Sequence, residues 1–290
     1  MLYRESLLTD HSTLNIIPLL DLLNRICVRP PYFALAHLQF QDQVFRAVAS
    51  SSIRRGQEYG PMPGAELSRH AAIAGLCAAA LAQPDDQRRY YLAQEAQYVG
   101  AMNRAPEGTK VQFTAELTEL DKRSARASIF AEADGQPLAQ VEVAYTVLTD
   151  NAFSRLFRTR HQPSFHSAVS TELSPLPIGT VRTEGKRLIR EVDQIPVEAC
   201  AGHFEGYPAM PVAILMGQLA ELAGQAFGGN FHIAKASVQA TDFCWAGESA
   251  RFEVMPEQVT ALRTTFACAA FANDRPIGEM QLILEHKTSR

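Results

Sequence analysis

An internal repeat is the feature that most limits what this chain can fold into. Met62-Pro63 opens a helical stretch that runs to about Ala82, and Met210-Pro211 opens another, 148 residues later, that runs to about Phe227. Proline suits the first turn of a helix, where its missing N–H would have no partner. A repeat of this length indicates a duplicated domain, because solenoid repeats are only about 20–50 residues long.

Turn sequences repeat as well. Residues 134–138 (DGQPL) precede an alternating strand pattern, and residues 273–277 (NDRPI) precede another, 139 residues later. Each half is therefore expected to contain an extended segment, a proline-led helix and several strands joined by turns. The predicted strands are Arg89–Val99, Lys110–Leu120, Ala125–Glu132 and Pro137–Leu148 in the first half and His232–Phe243, Ala250–Met255, Leu262–Ala272 and Ile277–His286 in the second.

The order of these elements indicates an α+β protein. Strands that follow one another after a single long helix favour an antiparallel sheet packed against that helix. We assign residues 35–148 and 180–290 to two such domains, and the proline-rich stretch 149–179 to a linker. The N-terminal extension, residues 1–34, has a Leu/Ile pattern that predicts a helix docked on the body.

Composition restricts the class of partner. Of the 290 residues, 47% are hydrophobic and 20% are charged, which is typical of globular rather than disordered chains. The net charge of −4 offers no broad cationic surface, so nucleic acid is not an expected partner. The apolar stretches fall short of the roughly 20 residues that span a bilayer, and we expect a cytoplasmic protein with no membrane partner. The five cysteines include no C-x-x-C pair and are expected to be reduced and buried.

The segment directly before the second helix carries the clearest chemical signal. Residues 202–211 read GHFEGYPAMP. This segment resembles the signature G-H-F-x-G-x-P-x-M-P-G of hot-dog-fold 3-hydroxyacyl-acyl-carrier-protein dehydratases, in which a loop carrying the catalytic histidine leads into the central helix. With the repeat, the resemblance covers most of residues 35–148 and 180–287. It implies a double hot-dog, in which two antiparallel sheets, each wrapped around a central helix, are fused to mimic the usual dimer.

The resemblance also implies roles for individual groups. In the family the histidine, here His203, removes the proton next to the thioester, and an acid fourteen positions later on the partner's helix protonates the leaving hydroxyl. Histidine suits the base role because its usual pKa lies near neutrality. The first N–H of the helix binds the thioester oxygen, where helix polarity favours negative charge. By position, this donor is Val212 in the second half and Gly64 in the first.

The chain departs from the family at the position of the acid. Gly217 stands fourteen residues after His203 and cannot donate a proton. At the offset of 148 residues, the first half has Arg55 at the histidine position and Arg69 at the acid position. At most one active site is therefore expected, with Gly217 and Arg69 lying where the substrate binds.

Three side chains could replace the missing acid, and each has a structural alternative. Glu221 lies one helical turn after Gly217, but it could equally be a polar helix residue or an ion-pair partner of Arg55. His70 adjoins the acid position on the first helix, where it could instead be a partly buried structural histidine. Glu66 is better explained as a carboxylate that stabilises the first turn of its helix.

The remaining signals are weaker. Tyr207 is a candidate wall of the substrate site, although it and Phe204 also suit a purely packing role. The basic pairs Arg54-Arg55 and Lys186-Arg187 could attract the phosphopantetheine arm of a carrier protein or coenzyme A, but short basic clusters are usually solvated surface. The sequence contains no phosphate-binding loop, metal-binding helix or nucleophile elbow, so no cofactor and no metal are expected.

Three functions are consistent with these observations. The leading prediction is dehydration of a 3-hydroxyacyl thioester, carried by an acyl-carrier protein or coenzyme A, in fatty-acid or polyketide-type biosynthesis. The first alternative is a hot-dog thioesterase or acyltransferase, because activating water needs only one positioned base. The second is a non-catalytic subunit that binds acyl groups or a partner. Fusion of the two halves makes a monomer sufficient, and a homodimer is also allowed.

Overall fold

The computed structural model describes residues 16–52, 56–102, 105–166 and 173–286. Within them the helices are α1 (Leu19–Arg25), α2 (Gly64–Ala82), α3 (Asp150–Leu156) and α4 (Val212–Phe227). The strands of the first half are β1 (Ala36–Gln41), β2 (Val44–Ala49), β3 (Arg89–Gly100), β4 (Val111–Leu120), β5 (Ser124–Ala133) and β6 (Gln136–Thr149). The strands of the second half are β7 (Thr180–Glu184), β8 (Arg187–Val192), β9 (Phe231–Ala240), β10 (Ala250–Val259), β11 (Arg263–Ala272) and β12 (Arg275–His286).

The repeated turn sequences form matching β-hairpins. Asp134-Gly135 joins β5 to β6, and Asn273-Asp274 joins β11 to β12, with all four φ angles between 45° and 70°. Two-residue hairpin loops favour positive φ because the resulting turn matches the twist of the flanking strands. The predicted helices and strands are confirmed to within a few residues at their ends.

Side chains along the strands alternate between a buried face and an exposed face. In β5, Ala127, Ile129 and Ala131 are buried, whereas Arg126 and Phe130 face outward. A period of two residues sends successive side chains to opposite faces of a sheet. The buried face of β5 packs against α2, which places the core of each half between its helix and the sheet.

All twelve of the strands given above belong to one antiparallel sheet. Their order is β1-β2-β4-β5-β6-β3-β9-β12-β11-β10-β8-β7. The halves meet at β3 and β9, whose pairing runs from Glu95↔Gln239 to Val99↔Lys235. The two predicted sheets are therefore joined into one continuous sheet, because β3 and β9 hydrogen-bond to each other and satisfy backbone groups that free edges would leave unpaired.

The two long helices lie side by side against this sheet. α2 packs on β2, β4, β5 and β6, and α4 packs on β8, β10, β11 and β12. The helices also contact each other, since a Cβ added to Gly217 of α4 would lie 3.3 Å from the Cβ of Ala65 on α2. Gly217 thus lies at a close helix–helix approach where a larger side chain would require adjustment.

The segments outside the two halves are also packed. α1 contacts α2 through the fully buried Leu22, which confirms a docked helix in the N-terminal extension; residues 1–15 lie outside the described part of the chain. The stretch predicted as a linker contains α3, whose Phe153 is fully buried. All five cysteines are buried and unbridged, as expected. Among the described residues, no helix combines the length and the hydrophobicity needed to cross a membrane.

Candidate active site

His203 lies in the loop that leads into α4, and one of its ring nitrogens forms a hydrogen bond within this loop. Its Nδ1 is 2.9 Å from the carbonyl oxygen of Ala209. A carbonyl can only accept, so Nδ1 carries the proton and the lone pair is on Nε2. Burial lowers the pKa of His203 to about 4, against the opposing effect of the Ala209 carbonyl. The imidazole is therefore neutral near pH 7 and is oriented as a proton acceptor.

Aromatic rings hold the imidazole in place. Phe204 stacks on it with ring centroids 3.7 Å apart, and Tyr32 meets it edge-on at 5.5 Å. The preceding residue, Gly202, accepts a hydrogen bond of 2.7 Å from the N–H of Arg29. A Cβ at Gly202, where φ is +76°, would overlap the Arg29 carbonyl, so glycine is required both by the backbone conformation and by the close approach.

The N-terminus of α4 follows the His203 loop directly. Pro211 precedes the helix, and the N–H of Val212 finds no acceptor among the residues that the structure describes. Val212, Ala213 and Ile214 are partly exposed. The first N–H groups of a helix have no intrahelical partner and carry partial positive charge. This end of α4 is therefore free to bind a developing oxyanion.

The corresponding helix end in the first half is occupied. The N–H of Gly64 donates a hydrogen bond of 2.7 Å to Oε1 of Glu58. Burial raises the pKa of Glu58 to about 7, partly offset by this bond. The Glu58 loop is held by backbone hydrogen bonds to Phe231 of β9. A substrate oxygen could reach Gly64 only by displacing this carboxylate, a contact that the sequence analysis missed.

Arg69 and His70 belong to a buried polar cluster on α2. Arg69 Nη2 lies 3.1 Å from Glu66 Oε1 and 3.0 Å from His70 Nε2. Because a guanidinium only donates, His70 must accept at Nε2 and is neutral, in line with the lowering of its pKa by burial. Ser51 and Ser52 donate to Glu66 through their hydroxyls at 2.6 Å each. His70 is fully buried rather than partly buried, and its Nε2 is already engaged.

Tyr32 separates this cluster from His203. The guanidinium carbon of Arg69 lies 5.7 Å from the centre of the Tyr32 ring, whose edge contacts His203. The positions that the resemblance assigns to the base and the acid thus lie on different sides of the Tyr32 ring. In this chain, however, the side chain at the acid position is a cation, and an aromatic ring stands between the two groups.

Glu221 is directed elsewhere. Its Oε1 accepts a hydrogen bond of 3.0 Å from Nη2 of the buried Arg190, and 57% of its side chain is exposed. Arg190 also donates to Gln218 at 2.8 Å. Glu221 is therefore an ion-pair residue, one of the two structural alternatives, and its partner is Arg190. The partner that the sequence suggested, Arg55, lies outside the described residues.

The other predicted residues have packing or surface contacts. Tyr207 is buried and meets the rings of Phe153 and His161 at 5.1 and 5.0 Å, so it supports the loop from behind. Arg187 pairs with Glu253 at 3.0 Å. Arg54 lies outside the described residues. The structure therefore places His203 and Tyr207 in the loop that leads to Val212 at the start of α4, and it adds Tyr32, which the sequence analysis did not single out.

Comparison with known proteins supports the fold of this chain. No protein-family model and no curated protein sequence matches it. Solved structures with a similar fold include a 12:0-ACP thioesterase from Umbellularia californica (TM-score 0.57, 10% identity, covering 84% of this chain and 95% of that one). An acyl-ACP thioesterase from Bacteroides thetaiotaomicron is similar at TM-score 0.54 and 10% identity, covering 84% and 98% of the two chains. Acyl-CoA thioesterase II of Mycobacterium marinum is similar at 0.50 and 10%, covering 89% and 96%.

These likenesses, together with the large antiparallel sheet and its few helices, show that the chain has a hot-dog fold. They also overturn the leading functional prediction. The three similar structures named above, covered over 95–98% of their length, are thioesterases and not dehydratases. A physical reason lies in the site: the family that the loop resembles uses an acidic side chain opposite the base, and this chain has the cation of Arg69 at that position.

Proposed function

We propose that the chain is a double hot-dog enzyme that hydrolyses acyl thioesters at the His203 loop. The two hot-dog units correspond to residues 35–148 and 180–290, with 149–179 between them. Support comes from the matching order of elements in the two halves and from the thioesterases that share the fold. Each half has its own helix packed against its own part of the sheet.

The observation that carries the proposal is a neutral base next to a free helix end. His203 presents the lone pair of Nε2, because its Nδ1–H is bound to Ala209. Three residues after Ala209, the N–H of Val212 is available for an oxyanion. Thioester hydrolysis requires this pair of functions and little else, since a thiolate, with a thiol pKa of roughly 8.5, leaves far more readily than hydroxide.

The steps follow from these positions. The thioester oxygen binds the Val212 N–H, and Nε2 of His203 takes a proton from a water molecule. The resulting hydroxide attacks the thioester carbon, and negative charge develops on the oxygen at the α4 N-terminus. The carbon–sulfur bond then breaks, and the protonated His203 returns its proton to the departing thiolate. The products are a carboxylic acid and a free thiol.

The proposed substrate class rests on the thioesterases that share the fold. The neighbours named above include enzymes for acyl-ACP and for acyl-CoA. We therefore propose an acyl group carried on either thiol as the substrate. We propose water as the acceptor, as hydrolysis by the thioesterases that share the fold would require.

Release of free thiol tests the proposal. Purified wild-type protein and His203→Gln would be incubated with acyl-CoA and acyl-carrier-protein substrates, and thiol would be followed with a chromogenic disulfide. Glutamine can keep a hydrogen bond to Ala209 but cannot act as a base, so we expect activity to fall about 10²–10⁴-fold. Glu221→Gln, on the exposed side of α4, is the matched control and should stay near wild type. Equal activity in wild type and His203→Gln would refute the assignment of the base.

A further inference from the structure

We infer that Tyr32 forms the inner end of the acyl-binding space and limits the length of acyl chain that the enzyme accepts. This inference rests on the proposed function, because it takes the thioester to lie between His203 and the N–H of Val212. It gives the N-terminal extension a direct role in substrate selection.

The position of Tyr32 is the first support. It precedes β1, outside the repeated unit, yet only 6% of its surface is exposed. One edge of its ring meets His203 of the second half at 5.5 Å, and its face meets the guanidinium of Arg69 on α2 of the first half at 5.7 Å. A single ring thus fills the distance between the candidate base and the opposite helix.

The segment that carries Tyr32 is held firmly. Arg29 donates its N–H to the Gly202 carbonyl at 2.7 Å, and Phe33 donates to the Arg29 carbonyl at 2.8 Å. A Cβ at Gly202 would also lie only 2.6 Å from the backbone nitrogen of Tyr32. The segment and the His203 loop are therefore packed backbone to backbone, and Tyr32 acts as a fixed wall rather than a mobile lid.

The direction of the acyl chain follows from the site. The thiol carrier is large and must stay on the solvent side, so the apolar chain extends inward past His203. The ring contacts on that side are Phe204 and Tyr32. Phe204 is backed by further rings, Phe153 at 5.2 Å and Tyr90 at 5.3 Å, which leave little room to yield.

The side of Tyr32 away from His203 faces the buried polar cluster of α2. Arg69 Nε and Nη1 and His70 Nδ1 are buried, and none of them has a hydrogen-bond partner among the described residues. Buried polar groups normally have hydrogen-bond partners. These three atoms, all on one side of Tyr32, therefore keep an unused capacity to form hydrogen bonds. Removal of the Tyr32 ring would leave the volume of the ring itself open to a longer acyl chain, between His203 and α2.

Chain-length profiles of binding and hydrolysis test the inference. Binding of S-alkyl-CoA thioethers, from butyl to hexadecyl, would be measured by calorimetry, and hydrolysis of the matching acyl-CoA esters by thiol release. Tyr32→Ala and Tyr32→Leu should raise the ratio of long-chain to short-chain kcat/KM by about tenfold or more, since each methylene in an apolar pocket is worth about 10–200-fold. Tyr32→Phe keeps the ring and should keep the wild-type profile. Tyr91→Ala is the matched control, a buried tyrosine whose ring contact is with Tyr145.

The outcomes separate the two proposals. A shift in thioether binding without any hydrolysis would retain the role of Tyr32 and refute hydrolysis. Hydrolysis with an unchanged length profile in folded Tyr32→Leu would refute the role of Tyr32. The same shift in Tyr91→Ala, or no thioether binding by the wild type at any length, would also overturn the inference.

Discussion

The Glu58 carboxylate accepts a hydrogen bond of 2.7 Å from the N–H of Gly64, at the helix end that corresponds to Val212 in the second half. The first half thus fills this helix end with its own side chain, whereas the N–H of Val212, the proposed oxyanion donor, has no acceptor among the described residues. This difference explains in structural terms why one site, not two, is expected to be active.

Val212→Pro tests the oxyanion donor. Proline at the first helical position removes the N–H but is compatible with the helix, so α4 should be retained. We expect kcat for thioester hydrolysis to fall about 10²–10³-fold, the usual effect of losing one such donor. Val212→Ala keeps the N–H and is the control. Circular dichroism checks folding, and a kcat equal to that of Val212→Ala would speak against the donor.

The pH profile tests the state of His203. Because burial lowers its pKa to about 4, the folded enzyme holds the base unprotonated down to that pH. We expect kcat/KM for hydrolysis to stay level from pH 8 to below pH 6 and to reach half its maximum near pH 4. A half-maximum near 6.5, the usual value for histidine, would show that the ring is solvated in the working enzyme.

Glu58 should make stability depend on pH in the opposite direction from an ordinary carboxylate. Its pKa is raised to about 7 from 4.5, so between these values the folded state binds more protons than the unfolded state. The contribution is complete below pH 4.5 and is lost as the pH rises through 7. Urea unfolding at pH 5 and pH 8 should show a larger drop for wild type than for Glu58→Gln. Equal drops would contradict the raised pKa.

The buried cluster on α2 predicts that the free energy of unfolding depends strongly on Glu66. Glu66→Ala would leave the guanidinium of Arg69 buried without its carboxylate, and we expect a loss of about 3–5 kcal/mol in the free energy of unfolding. Arg69→Met should cost less, since Ser51 and Ser52 still donate to Glu66. Denaturant titration of both variants checks this order. A loss below about 1 kcal/mol for Glu66→Ala would mean that the pair is hydrated.

Much of the fold could be predicted because its signals are local. Proline before each long helix, two-residue turns and alternating strands lie within short stretches, and the 148-residue repeat relates the halves. His203 and Val212 could be grouped for the same reason, since one short segment, the loop and the start of α4, contains both. The joining of β3 to β9 could not, because it depends on edges that meet only after both halves have folded.

The parts of the site that sequence reasoning missed come from distant segments. Tyr32 reaches His203 only because the N-terminal extension crosses to the second half, and Glu58 is held by β9. Arg190 on β8 donates a hydrogen bond to Glu221 on α4, a contact that helical spacing does not predict. The dehydratase motif is short and describes the loop alone, so it could not disclose what stands opposite the histidine.

One measurement decides the central claim, that His203 and the α4 N-terminus hydrolyse a thioester. Wild-type protein and His203→Gln would be given a 3-hydroxyacyl-CoA in water enriched in the heavy oxygen isotope, and the products would be weighed by mass spectrometry. We expect the wild type to form free coenzyme A and a 3-hydroxy acid carrying one heavy oxygen, and His203→Gln to form much less of both. An enoyl-CoA that has lost water, with no free thiol, would contradict it.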